Sequence, residues 1–117
     1  MEVLVIENNF FFRQLLKKSG KKEGINVDVA VNSSYINKNK KYDLIVFDYL
    51  ASQNGQQEQK MLESMFPEAQ FIHYCTEKPE NTNVPFVNKF QFKNIRELLI
   101  ARKTQCTMTG NAFVALT

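Results

Sequence analysis

The chain has 117 residues, 44% of them hydrophobic, and a formal net charge of +3 from 15 Lys and Arg against 12 Asp and Glu. That is material for one core and too little for a second domain of ordinary size. Its longest apolar runs, such as Leu44 to Phe47, fall far short of the ~20 residues that cross a bilayer, and no charged start leads into an apolar stretch with a cleavage site, so a soluble, cytoplasmic protein is expected.

Val3-Leu4-Val5-Ile6 is a short β-branched run stopped by Glu7-Asn8-Asn9, the pattern of a buried parallel strand. Phe11, Phe12, Leu15 and Leu16 then recur at helical spacing, with Asn9 as N-cap and Gly20 or Gly24 as the stop. Ile25, Val27 and Val29 alternate with more polar neighbours, as in a half-exposed second strand. From Asn32 to Lys41 only Tyr35 and Ile36 are bulky and apolar, so any helix there is short and poorly anchored.

The clearest signal is Tyr42 to Asp48, a continuous apolar strand that ends on a carboxylate and runs into a polar loop with Asn54-Gly55. Gln57 to Phe66 follows as a helix with Met61, Leu62, Met65 and Phe66 on one side, closed by Pro67. Phe71 to Cys75 is the fourth strand and Pro85 to Phe90 the fifth, and Ile95, Leu98, Leu99 and Arg102 mark a final helix. The alternation predicts an α/β fold: a doubly wound, five-stranded parallel sheet with right-handed crossovers, over residues 1–103, with 104–117 as a tail or linker.

Several features have plain structural readings. Cys75 and Cys106 are far apart, without metal-ligand or redox spacing, and read as free thiols. Lys17, Lys18, Lys21, Lys22 and Lys38, Lys40, Lys41 read as a solvated helix end and a loop, so direct nucleic-acid binding is not expected. His73, mid-strand among Phe71, Ile72 and Tyr74, reads as a satisfied core or interface histidine. Phe10-Phe11-Phe12 reads as core plus one exposed ring, and the glycines have no phosphate-cradling spacing.

In a parallel sheet of this kind, side chains at the carboxyl ends of strands converge on the switch point between crossovers. The strand-terminal polar residues are Glu7 and Asn8, Asp48, Cys75 and Thr76, and Lys89. Two acids and a lysine brought together suit a divalent cation plus a group that neutralises a phosphoryl oxygen, since Mg²⁺ selects hard oxygen ligands. The plainer alternative is that each is the polar residue at which a buried strand reaches water.

Val3 to Asn8, Tyr42 to Asp48 and Phe86 to Phe90 together resemble, in order, the three landmark segments of response-regulator receiver domains, the flavodoxin-like modules of two-component signalling and phosphorelays. The resemblance covers about residues 1–103. It implies Glu7 and Asn8 at the metal-holding acid pair, Asp48 as the aspartate that accepts phosphate from a histidine kinase, and Lys89 as the phosphoryl-contacting lysine. It also implies the Leu50 backbone carbonyl as a metal ligand and Phe86 as the switching aromatic.

Four departures qualify it. Asn8 replaces an acid, which lowers the charge count on which divalent affinity depends, so Mg²⁺ binding is expected to be weak or absent. The hydroxyl residue that ends the fourth strand in the family falls on Cys75 or, one position on, Thr76; a thiol is a poor partner for a phosphoryl oxygen. Lys89-Phe90 stands where the family has Lys-Pro. Between Cys75 and Val84 there are only the eight residues Thr76 to Asn83, interrupted by Pro79, too few for the usual helical crossover, so the fourth helix is missing or very short.

The expectation is therefore an atypical receiver, not an enzyme, acting through protein contacts as the regulatory module of a transcription regulator. The alternative is a working receiver, phosphorylated at Asp48 by a kinase with Mg²⁺, and a minor one is a small α/β enzyme. Loss of the fourth helix should bare apolar surface near Phe86, and the tail from Thr107 to Thr117 is apolar enough to dock there, on its own domain or in a homodimer.

Overall fold

The computed structural model describes residues 1–51, 54–80 and 82–109, with side chains described to residue 105. Five strands, β1 (Glu2–Ile6), β2 (Asn26–Ala30), β3 (Leu44–Phe47), β4 (Gln70–Cys75) and β5 (Phe86–Asn88), form one parallel sheet in the order β2-β1-β3-β4-β5. This is the doubly wound order in which winding reverses between β1 and β3, and the polar ends of those strands open there. Three helices cover it: α1 (Phe10–Lys22), α2 (Gly55–Met65) and α3 (Phe92–Thr109).

The strands are legible because strands buried on both faces must be apolar throughout. Each of the four residues of β3 is buried, as are Val3 to Ile6 in β1. Alternate side chains supply two cores. Val3, Val5, Leu44, Val46, Ile72 and Tyr74 pack under α1 and α3 with Leu16, Ile95 and Leu99. On the opposite side Leu4, Ile6, Ile45 and Phe47 meet Leu62 and Phe66 of α2.

α1 starts where Asn9 accepts the Phe12 N–H, and its end is turned by Gly24 at φ 71°, a left-handed conformation that glycine adopts without steric cost. Gly20 is not the stop; it lies inside the helix against Val27. α2 begins two residues before Gln57, capped by Asn54, and ends at Met65. Met61 points outward, with 40% exposure, and Gln59 is the inward residue instead. The fifth strand is shorter than Pro85 to Phe90, because Asn88 and Lys89 already turn the chain toward α3: Asn88 Oδ1 accepts the Phe90 N–H.

As the short crossover implied, no fourth helix stands between β4 and β5 among the described residues. Nor is there a helix between β2 and β3 beyond a single 3₁₀ turn, Ser33–Tyr35, consistent with the sparse apolar content there. α2 is thus the one helix on its face of the sheet among the described residues, against the pair α1 and α3 on the other. The flank near Phe86 is nevertheless not bare. Phe86 is half-buried, Pro79 of the short crossover is buried, and His73 and Cys75 are fully shielded. The tail contact expected of residues up to Thr117 lies outside the described residues from 110 onward, and α3 itself continues past Lys103 to Thr109.

Candidate functional site

At the carboxyl ends of β1, β3 and β5 three charged side chains meet. Lys89 Nζ donates to Glu7 Oε2 at 2.7 Å and to Asp48 Oδ2 at 2.6 Å. The cluster is buried: side-chain exposure is 1% for Glu7, 6% for Lys89 and 11% for Asp48. Parallel register puts the last residues of β1 and β3 side by side, Ile6 opposite Phe47, so the next residue of each chain carries its acid to the same edge. The turn after β5, in which Lys89 N–H bonds the Cys75 carbonyl, brings the lysine back over them.

The remaining carboxylate oxygens are also engaged. Glu7 Oε1 accepts the Asn9 N–H at 3.0 Å, and Asp48 Oδ1 accepts those of Leu50 and Ala51, both at 3.1 Å. Leu50 therefore reaches Asp48 through its amide. Lys89 has aromatic walls, its ammonium 4.9 Å from the Phe12 ring centre and 5.7 Å from that of Tyr74, whose hydroxyl donates to the Lys89 carbonyl. Burial opposes the charge on Lys89, but the hydrogen bonds and charges of Asp48 and Glu7 outweigh it and hold the pKa above the usual lysine value.

The other sequence candidates surround this trio unevenly. Cys75, the last residue of β4, is buried against Asp48; burial pushes its thiol up to about 11, and the adjacent Asp48 charge adds to the rise while the Leu50 and Tyr49 N–H groups oppose it. Thr76 is exposed, its carbonyl accepting from the Asn88 side chain. Asn8 is exposed and lines a groove of about 230 Å³ with Asn32, Asp48 and Glu58. Phe86 sits beside His73 in the β4–β5 register, on the border strand, with β4 between it and the strand that ends in Asp48 and both β4 and β3 between it and the strand that ends in Glu7. Among the described residues no group of three or more His, Cys, Asp or Glu side chains gathers at one point as a metal centre would.

Several contributors carried no signal in the sequence. Arg13, one turn into α1, donates to the Glu7 carbonyl at 2.8 Å and so fixes the loop that carries Glu7 and Asn8. Tyr49 stacks on His73 with ring centres 4.4 Å apart, and Gly55 presses against the same tyrosine, whose Cγ would lie 2.9 Å from an added Cβ. His73 is fully buried; Nε2 bonds Gln59 Oε1 at 3.0 Å, while Nδ1 has no partner. Desolvation pulls its pKa down to about 4, which keeps the ring neutral. Such side-chain pairs join elements distant in sequence, and no periodicity announces them.

No protein-family model matches the sequence, and no curated protein sequence does. Solved structures match throughout the fold. A response regulator from Thermotoga maritima superposes with a TM-score of 0.72 at 17% identity, over 86% of this chain and 97% of that one. The chemotaxis protein CheY4 of Vibrio cholerae gives 0.72 at 16% identity, over 84% and 94%. TrrA of Thermotoga maritima, solved with Mg²⁺ and BeF, gives 0.70 at 20% identity, over 86% and 97%. The chain has the receiver-domain fold of two-component signalling proteins, with three α-helices among the described residues.

Proposed function

We propose that this domain is an atypical receiver that signals through protein–protein contacts, as the regulatory module of a transcription regulator, with phosphorylation and Mg²⁺ binding weak or absent. The observation that carries this is the Lys89 ammonium lodged between Glu7 and Asp48. A buried cation that already bonds both acids competes with a divalent ion for them, and Asn8 offers an amide where a further carboxylate would raise affinity. Two carboxylates committed in this way are a poor donor set for Mg²⁺. The thiol of Cys75, held protonated by burial, is likewise a weak donor to a phosphoryl oxygen.

A second reading, a phospho-accepting receiver served by a histidine kinase, draws on one observation: Glu7, Asp48 and Lys89 do meet, so the acceptor and its neutralising cation are at hand. The mass of the intact protein after incubation with a small phosphodonor and Mg²⁺ separates the two. We expect no phosphoryl adduct, and an adduct that disappears in Asp48→Asn would establish the second reading. In a metal titration Asn8→Asp should bind Mg²⁺ more tightly than the parent; equal affinities would show that the missing carboxylate is not limiting.

A further inference from the structure

A second concavity lies at the other end of the sheet from the carboxylates. Parallel pairing brings the starts of β3 and β4 together, with the Gln70 N–H on the Asp43 carbonyl, and the segments that lead into the two strands part to leave a cleft of about 450 Å³. That is roughly twice the volume of the groove beside Asp48, and it falls within the range of about 300–1,000 Å³ typical of small-molecule sites. One wall is residues 38–43, the second half of the connection between β2 and β3. The other is residues 65–69, the end of α2 and its turn into β4.

The lining has two chemistries. At its base Tyr42 and Phe66, both buried, meet edge to face with ring centres 5.4 Å apart, and the partly buried Met65 and Ala69 continue the apolar surface. Three lysines also line the cleft, and the fold employs one of them: Lys40 bonds Asp28 at 2.7 Å, lies 3.6 Å from Glu2 and rests over the Tyr42 ring. Lys38 and Lys41 are exposed and form no ion pair with a described carboxylate. The acids of the lining do not answer them. Asp43 accepts the Glu2 N–H at 2.7 Å, and Glu68 is exposed on the opposite wall, with no ion pair among the described residues.

We propose that this cleft binds a small organic anion, its carboxylate or phosphate head held by Lys38 and Lys41 and its aromatic or aliphatic body laid over Tyr42, Phe66 and Met65. An apolar base that removes the body from water, with a few charged groups that fix its orientation, is the make-up of small-molecule sites in general. Ammonium groups on flexible stems meet an anion as point charges, so the pair accepts head groups of more than one shape. The cleft shares no residue with the trio of Glu7, Asp48 and Lys89, and its ligand is therefore independent of whether Asp48 accepts phosphate.

The test is an NMR titration of the ¹⁵N-labelled full chain at low salt with 1-naphthoate and with 1-naphthyl phosphate, the tighter of the two identifying the head group. We expect one-to-one binding, shifts confined to residues 38–43 and 65–69, and weakening as salt is raised. Acetate and inorganic phosphate, which have the charge without the apolar body, should leave the spectrum unchanged. Neutral 1-naphthamide should bind about tenfold more weakly, and Lys38→Glu with Lys41→Glu should weaken either anion at least as much, since like charges brought together oppose binding. Glu68→Gln should tighten it, and Lys93→Glu, on α3 across the sheet, should have no effect. All four positions are exposed, so the variants should fold. Absence of shifts in the two segments would overturn the proposal, as would naphthamide binding as tightly as naphthoate, an equal response to acetate, or affinity indifferent to the lysine reversals. A phosphoryl adduct on Asp48 would instead defeat the reading above and leave this titration as it is.

Discussion

The two faces of the sheet solve the same covering problem differently. Under α1 and α3 the core is dry: Leu16, Ile95 and Leu99 close over Val3, Val5, Val46, Ile72 and Tyr74, and the buried members of that cluster are hydrophobic throughout. The opposite face has lost two helices relative to the complete fold, and there α2 is helped by groups that have to be hydrogen-bonded to be buried. Gln59 reaches across to His73, and Tyr42, its ring on Phe66, donates to Asp28. The lesson is that polar pairs and aromatic stacks replace missing helical cover, at the cost of a buried His73 Nδ1 that is left without a partner.

The sharpest test is at the seam between the faces. Lys89→Met would leave Glu7 and Asp48 buried without their cation, and we expect a loss of about 3–5 kcal/mol in urea unfolding at neutral pH, the usual consequence of removing one member of a buried ion pair. Because the Lys89 pKa is raised in the fold, its pairing contributes fully at pH values below the unfolded lysine value of 10.5 and is lost as pH climbs through the higher folded value. Stability should therefore show an alkaline decline beginning above about pH 10.5 that Lys89→Met lacks.

Leu16→Ala on the dry face should cost about 2–5 kcal/mol, since the residue is 1% exposed and its cavity is walled by strands that cannot collapse into it. On the other face Gly55→Ala should cost about 1–3 kcal/mol, because the new methyl would strike the Tyr49 carbonyl and ring and push that ring off His73. A Leu16 variant milder than the Gly55 one would invert the comparison of the faces.

The mildest change should be the paired replacement of Gln59 and His73 by leucine, within about 1 kcal/mol of the parent at pH 7, since removing both partners strands neither. Either single replacement should be worse. The pair also predicts a pH signature. The His73 pKa falls from 6.5 to about 4 on folding, so the unfolded chain takes up a proton that the fold refuses. This contribution to stability is complete above pH 6.5 and is lost as pH falls from there toward about 4, and the double variant should have a flatter acid limb by one proton.

What was legible in the sequence follows the same division. The strands were plain because burial on both faces demands unbroken apolar runs such as Leu44 to Phe47, and the convergence of Glu7, Asp48 and Lys89 followed from strand ends in a parallel sheet. The absent fourth helix showed in the length of the Thr76 to Asn83 crossover. Met61 was grouped with the inward side of its helix, and Gln59 went unremarked, because the helical pattern weighs hydrophobicity alone, whereas the amide is buried with a bond to His73. Tyr49 and Arg13 escaped for a related reason: what they do depends on the approach of α2, β4 and the first loop, which no local pattern encodes.

The brevity of β5 has a bearing on solubility during folding and at high concentration. A sheet edge with unpaired N–H and C=O groups is a template for strands of other molecules, and short edges, proline and charge are how such templating is suppressed. β5 is only three residues long, so that border has little length to offer a foreign strand. The β2 border is longer, but Asp28, in the middle of it, is bound by Lys40 and by the Tyr42 hydroxyl, placing a solvated ion pair where a flat strand would have to lie. Asp28→Val removes that pair and should make the protein aggregate more readily, with the β2 border as the growing edge, beyond the modest loss of stability from the stranded Tyr42 hydroxyl.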